Sequence, residues 1–139
     1  MKNLTKKYLN DLTFNVIGAA IEVHKELGPG LLESVYQKCF AHELRLRNIS
    51  FQSELMIPIN YKGLHLEADL RCDFFIEQSL VVEIKAIENT LPVHDAQLLT
   101  YMKLLQKPKG ILINFNVVNL FKEGQKTFVN ELFRTLPDE

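Results

Sequence analysis

The sequence predicts an α/β sandwich, a mixed sheet flanked by helices in the order helix, helix, three strands, helix, two strands. Three observations carry this. Apolar residues over 8–47 recur every three or four positions, the helical period. From Phe51 the period becomes two, as in strands. Two short apolar runs, residues 80–86 and 110–115, flank a further helical stretch, and such a crossover favours a parallel strand pair.

The first helix spans 8–27, with Leu9, Leu12, Val16, Ala19, Ala20, Val23 and Leu27 on one stripe. Gly28-Pro29-Gly30 stops it, because glycine supplies a left-handed cap and proline cannot continue. The second helix covers 32–47 and is expected to bury Leu32, Val35, Tyr36, Cys39, Phe40 and Leu44. Residues 51–61 read as one strand, Lys62-Gly63 as a hairpin turn, and the clean alternation from Leu64 to Asp73 as a second strand. Cys72 falls on its apolar side and Asp73 on its polar side. The run 80–86 suits a central strand covered on both faces. Pro92 and Asp95 favour a third helix ending near residues 106–108, with Leu98, Leu99, Met102 and Leu105 inward. A buried strand over 110–115 follows, then a short strand over 118–121, and 128–133 closes as strand or helix.

With 139 residues, the chain is expected to form a single domain, residues 1–139, with no need of disulfide or metal staples. Sixteen basic and seventeen acidic residues give a formal charge of -1, which excludes a bulk-charge nucleic-acid binder but not a local basic groove. No apolar stretch approaches the roughly 18 residues that span a bilayer, so no membrane association is expected. The basic start lacks a signal-peptide core, and Cys39 and Cys72 form no CxxC pair, which together point to a reducing, cytoplasmic setting.

Glu83-Ile84-Lys85 is the most informative tripeptide. In a strand, Glu83 and Lys85 share a face within an otherwise apolar run, where charge is costly unless paired or metal-bound. An edge-strand salt bridge is the ordinary explanation of E-x-K. Asp73 alters the balance, since it would bring a second carboxylate beside Glu83 if the two strands pair. On the third helix, His94, Gln97 and Tyr101 are spaced three then four and line one polar stripe. Glu33 falls in the first turn of the second helix, where the dipole favours a carboxylate. The four histidines show no metal-ligand spacing, and Gly28-Pro29-Gly30 lacks a phosphate-loop lysine.

Taken jointly, GLLESVY (residues 30–36), Asp73, EIK (83–85) and QLLTY (97–101), with LINFN and a following Lys-Glu-Gly turn, resemble the GxxExxY protein family. That family is a small-domain branch of the PD-(D/E)XK nuclease superfamily. The resemblance implies that Asp73 and Glu83 are the metal-binding acids, with Glu33 and the Ile84 carbonyl completing the shell. It implies that Lys85 is the catalytic lysine, and that Gln97 and Tyr101 match the helix motif of exonuclease-like and junction-resolving branches. Cys72 stands where the superfamily often has proline.

Physical chemistry favours the same assignment. Enzymes lower barriers by about 8–23 kcal/mol, whereas a lone acid or base supplies only about 10²–10⁴-fold. A hard cation supplies more, and an all-oxygen donor set suits Mg²⁺ or Mn²⁺. Binding one such ion would take the formal charge from -1 to +1, concentrated where a phosphate must sit. The expected function is thus metal-dependent nuclease action on nucleic acid, DNA ahead of RNA, with Lys62, Arg71, Lys103, Lys107 and Lys109 as basic contacts. A domain this small has little surface to grip a duplex, which points to a homodimer. Two other readings are a catalytically silent nucleic-acid-binding or protein-interaction module on the same fold, and a structural domain in which Glu83–Lys85 is only an ion pair.

Overall fold

The structure, a computed structural model, describes residues 3–139. Helix α1 (Lys6–Leu27) starts at Thr5, whose hydroxyl accepts from the Tyr8 amide at 3.0 Å, and stops at Gly28, held at a φ of 72° that favours glycine. Helix α2 (Glu33–Leu46) follows, then strands β1 (Phe51–Met56), β2 (Ile59–Tyr61), β3 (Leu64–Leu66), β4 (Arg71–Ile76) and β5 (Leu80–Lys85). Helix α3 (Pro92–Leu105), strand β6 (Lys109–Asn114), helix α4 (Leu120–Glu123), strand β7 (Gln125–Val129) and helix α5 (Glu131–Arg134) complete the order.

Five strands form one sheet in the order β1-β4-β5-β6-β7, with β5 in the middle. The β5–β6 pair is parallel across α3, as the crossover requires, and the other neighbours are antiparallel. Helices α1 and α2 cover one face. There Leu12, Val16, Tyr36 and Phe40 pack on Phe74, Leu80, Val82, Ile84, Ile111 and Ile113. Helix α3 covers the other face, where Leu98, Tyr101 and Met102 meet Phe75, Val81 and Leu112. Phe40 is fully buried and sits edge-on to Phe74 at 5.0 Å. Such ring pairs add about 0.5–1.5 kcal/mol beyond burial.

Several expectations need correcting. Residues 51–61 are two strands, because Pro58 follows β1 and the chain leaves the main sheet there. The alternating run from Leu64 is likewise divided into β3 and β4. Strands β2 and β3 form a separate hairpin whose turn residues, Lys62 and Gly63, both have positive φ, as a type I′ turn demands. The strand expected over 118–121 is absent. Asn119 instead caps α4 by accepting from the Lys122 amide, and the neighbouring strand is β7. The ambiguous 128–133 segment divides into the end of β7 and helix α5. In α2, Leu32 is the exposed N-cap residue and Val35 lies outward, while Ala41 takes a buried position. Leu27 and Leu99 are also exposed.

Candidate functional site

The centre of interest is the place where β4 and β5 part. Their ladder pairs Ile76 with Leu80, Phe75 with Val81 and Phe74 with Val82. One step further would set Asp73 against Glu83. There the carboxylates take over from the ladder. The Asp73 amide donates to Glu83 Oε2 at 2.6 Å, and the Ile84 amide donates to Asp73 Oδ2 at 2.8 Å. Two backbone donors that would otherwise be orphaned in a sheet interior are satisfied, and both carboxylates are fixed in orientation.

A break in strand alternation turns this region toward α2. Phe51 packs with the α1/α2 cluster, yet Leu55, four residues on, packs with the α3 cluster. On β4, Phe74 and Cys72 divide in the same way. Between these pairs lie Glu54, with a φ of 53°, and Asp73. Regular alternation keeps residues two or four apart on one face, so each strand changes face once, and the two do so side by side. A glutamate in the left-handed region costs on the order of 1 kcal/mol or more. Alternation places Asp73 opposite Cys72, as found, but does not foresee that Phe74 turns to the α1/α2 cluster.

The opposite wall is α2. Its first residue, Glu33, lines a cleft of about 500 Å³ together with Ser34, Gln37 and Lys38, facing Glu54, Arg71, Asp73, Glu83 and Lys85. Tyr36, buried in the same motif, fixes how α2 begins. Its hydroxyl donates to the Gly28 carbonyl at 2.5 Å and accepts from the Leu31 amide at 3.2 Å, while its ring stacks on Phe115 at 4.7 Å. The GLLESVY segment therefore joins a cleft acid to a core anchor three residues later.

The electrostatics are those of a site short of positive charge. Glu83 is only 4% exposed on the central strand, and its carboxyl is pushed up to about 8, first by burial and next by the charge of Asp73. Asp73 is raised too, chiefly by burial, with Glu33 and Glu54 adding to the effect and the Ile84 amide and Lys85 opposing it. Burial, then Glu83 and Asp73, push the neighbouring Cys72 thiol up to about 12, so it is an inert core group. Lys85 is half-buried and, among the described residues, makes no ion pair within 4 Å with Glu83 or any other acid. The edge-strand salt bridge is thereby overturned: β5 is central, and the two side chains are not paired.

The structure thus gathers Glu33, Asp73, Glu83 and Lys85 in one cleft. Ile84 contributes an amide while its side chain lies in the core. Gln97 and Tyr101 do not line the cleft. They sit on α3, over the sheet face that Val81 and, by strand alternation, Glu83 present, where Gln97 reaches the buried Tyr101 hydroxyl, whose pKa burial raises most, with Glu83 and Asp73 raising it further. His94, from the same stripe, accepts from the Leu91 amide and caps the helix. Lys107 and Lys109 are misplaced as cleft contacts. Lys109 pairs with Leu80, at the opposite end of β5 from Lys85, roughly 17 Å away at strand rise. There it donates to Asn10, while Lys107 lies over Phe75. Lys62 and Lys103 also lie outside the cleft lining, whereas Arg71 is part of it.

Sequence reasoning missed Glu54, Ser34, Gln37 and Lys38. The helical ones were legible as the i+1, i+4 and i+5 neighbours of Glu33, but Glu54 depends on the strand irregularity. It also missed Asn114, whose side chain accepts from the Ile87 amide and donates to the Ile87 carbonyl, bracing the chain just past Lys85.

A divalent metal can be weighed against these donors. Asp73 and Glu83 each commit one oxygen to an amide, and burial together with the neighbouring carboxylates raises both pKa values, a cost that a bound cation would relieve, so these hard oxygen donors fit such a cation in chemistry. Among the described residues, no three His, Cys, Asp or Glu side chains stand ready as a cage. The two strand acids are the preset part of such a site, and the Glu33 side chain would have to close on them.

A mixed sheet with helices on both faces, opening at its central strands onto two carboxylates and a lysine, defines a nuclease-like α/β fold. The family profile described as the PD-(D/E)XK nuclease superfamily matches residues 10–128, and the chain belongs to that superfamily. No curated protein matches. The crystal structure of SSO0001 is similar at 20% identity with a TM-score of 0.40, over 84% of this chain and 65% of that one. Among the described residues, no helix is long and apolar enough to cross a membrane.

Proposed function

We propose that the chain is a single metal-dependent nuclease domain that hydrolyses phosphodiester bonds in nucleic acid, DNA ahead of RNA, and that it is a cytoplasmic member of the GxxExxY branch. The observation that carries this reading is the pair of buried Glu83 and half-buried Asp73 where the central strands part, with Lys85 beside it and, among the described residues, in no ion pair within 4 Å. A structural ion pair would have neutralised Lys85. Here the ammonium instead faces a cleft that a phosphate can enter.

Asp73 and Glu83 would hold Mg²⁺ or Mn²⁺, with Glu33 and the Ile84 carbonyl completing the shell. When bound, such an ion polarises the phosphoryl oxygen and acidifies a water. Lys85 would set its side-chain nitrogen against the phosphate as negative charge grows on it. The amides of Asp73 and Ile84 keep the carboxylates from swinging away, so little reorganisation accompanies the reaction. Gln97 and Tyr101 would act as a positioning pair from α3, where the Tyr101 hydroxyl feels the charges of Glu83 and Asp73. A homodimer would widen the grip on a duplex.

The test is cleavage of labelled DNA and RNA with Mg²⁺ or Mn²⁺. Wild type should cut, and Asp73→Ala and Lys85→Ala should each lose at least about 10²-fold, the lower bound for one positioned group. Activity that survives either change overturns the assignment. The catalytically silent binding module has one observation in its favour, the absence of a ready three-donor cage among the described residues. Binding of nucleic acid without cleavage by any metal would establish it instead.

A further inference from the structure

Resting on that reading, we propose that Lys38 of α2 and Arg71 of β4 form a two-sided clamp for the phosphates that flank the scissile one. The cleft has acids at its floor and a cation on each rim. Ser34, Gln37 and Lys38 are spaced i, i+3, i+4 and form the cleft-facing stripe of α2, while Tyr36, Phe40 and Leu44 face the core. Lys38 is exposed and, among the described residues, has no ion-pair partner.

Arg71 is on the other wall, two residues before Asp73. Its only acidic contact among the described residues is Glu54, at 3.9 Å, with the two side chains 58% and 63% exposed. A single long contact between exposed groups contributes little. Exchanging Glu54 for a phosphate is therefore inexpensive, and a guanidinium binds phosphate through two parallel N–H donors. Glu54, opposite Asp73 on the edge strand, parks the guanidinium at the cleft until substrate arrives. The charge pattern matches a polyanionic strand: its scissile phosphate lies over the floor beside Lys85, and its neighbours reach Lys38 and Arg71. Both are positioning residues, acting on parts of the substrate that do not react.

The test measures binding of a labelled DNA duplex to the Glu83→Gln protein across a salt series, and steady-state cleavage by otherwise wild-type protein. Lys38→Gln and Arg71→Gln should each lower the slope of log affinity against log salt by about 0.9, or about 0.7 for single strands. They should raise KM with little change in kcat, leave the Mn²⁺ melting shift intact, and recover binding in Lys38→Arg. Lys107→Gln, at the far end of the sheet, should change neither slope nor KM. If wild type cleaves but Lys38→Gln and Arg71→Gln keep the full slope and KM, the clamp is wrong and the nuclease reading stands. If wild type neither binds nor cleaves DNA or RNA, both fall.

Discussion

Replacing Glu83 by glutamine should make the protein more stable while abolishing the proposed nuclease activity. In the native protein the Glu83 carboxyl titrates near 8, against 4.5 for an ordinary glutamate. A carboxyl with a raised folded-state pKa keeps its proton longer in the native state than in the unfolded chain. Its ionisation therefore penalises folding progressively as pH rises from about 4.5 to 8, and the penalty is absent below 4.5. At about 1.4 kcal/mol per pKa unit, the cost is about 4 kcal/mol at pH 8 and under 1 kcal/mol at pH 4.5. Glutamine keeps an oxygen for the Asp73 amide but loses the charge assistance, a loss of about 1 kcal/mol. The net gain for Glu83→Gln is then about 3 kcal/mol at pH 8, roughly 10 °C in Tm for a chain of this length. Urea unfolding in metal-free buffer at pH 4.5, 6, 7 and 8 measures it. A variant no more stable than wild type at pH 8, or a gain that is the same at every pH, would refute the reasoning.

Metal should act on the same acids. Mn²⁺ at about a hundred times its Kd should stabilise wild type by about 2.7 kcal/mol in a melt, and leave Asp73→Ala and Glu83→Ala unmoved. Tyr36→Phe keeps the ring stack on Phe115 but deletes the hydroxyl that bonds Gly28 and Leu31. It should cost about 1–3 kcal/mol in urea unfolding and speed amide exchange over 28–33. Gly110→Ala would place a methyl 2.8 Å from Met102 Sδ and 3.1 Å from the Val81 carbonyl. Overpacking α3 against the sheet should lower stability by about 1–3 kcal/mol, read from the urea midpoint.

Much of this protein is written locally in its sequence. The helical stripe from Leu9 to Val23, the glycine stop at residue 28, the Lys62-Gly63 turn and the two apolar central runs each follow from side-chain period and backbone preference, which act over a few residues. The pairing of Asp73 with Glu83 was legible to the extent that adjacent strands were expected. The family resemblance, not spacing alone, brought Glu33 and Lys85 to the same site. Tertiary structure decided the rest. Whether Glu83 and Lys85 pair depends on β5 being the central strand, with helices on both of its faces. That Phe74 and Cys72 face opposite layers goes with an irregularity shared with the neighbouring strand beside a left-handed Glu54, and no alternation count registers that. Lys107 and Lys109 looked close to the site because α3 is short, yet a parallel crossover returns the chain to the far end of the sheet. Arg71 and Lys38 stand 33 positions apart and meet only across the cleft. Local forces choose the elements. The site is set by where long-range packing opens the sheet, and that is a property of the assembled layers.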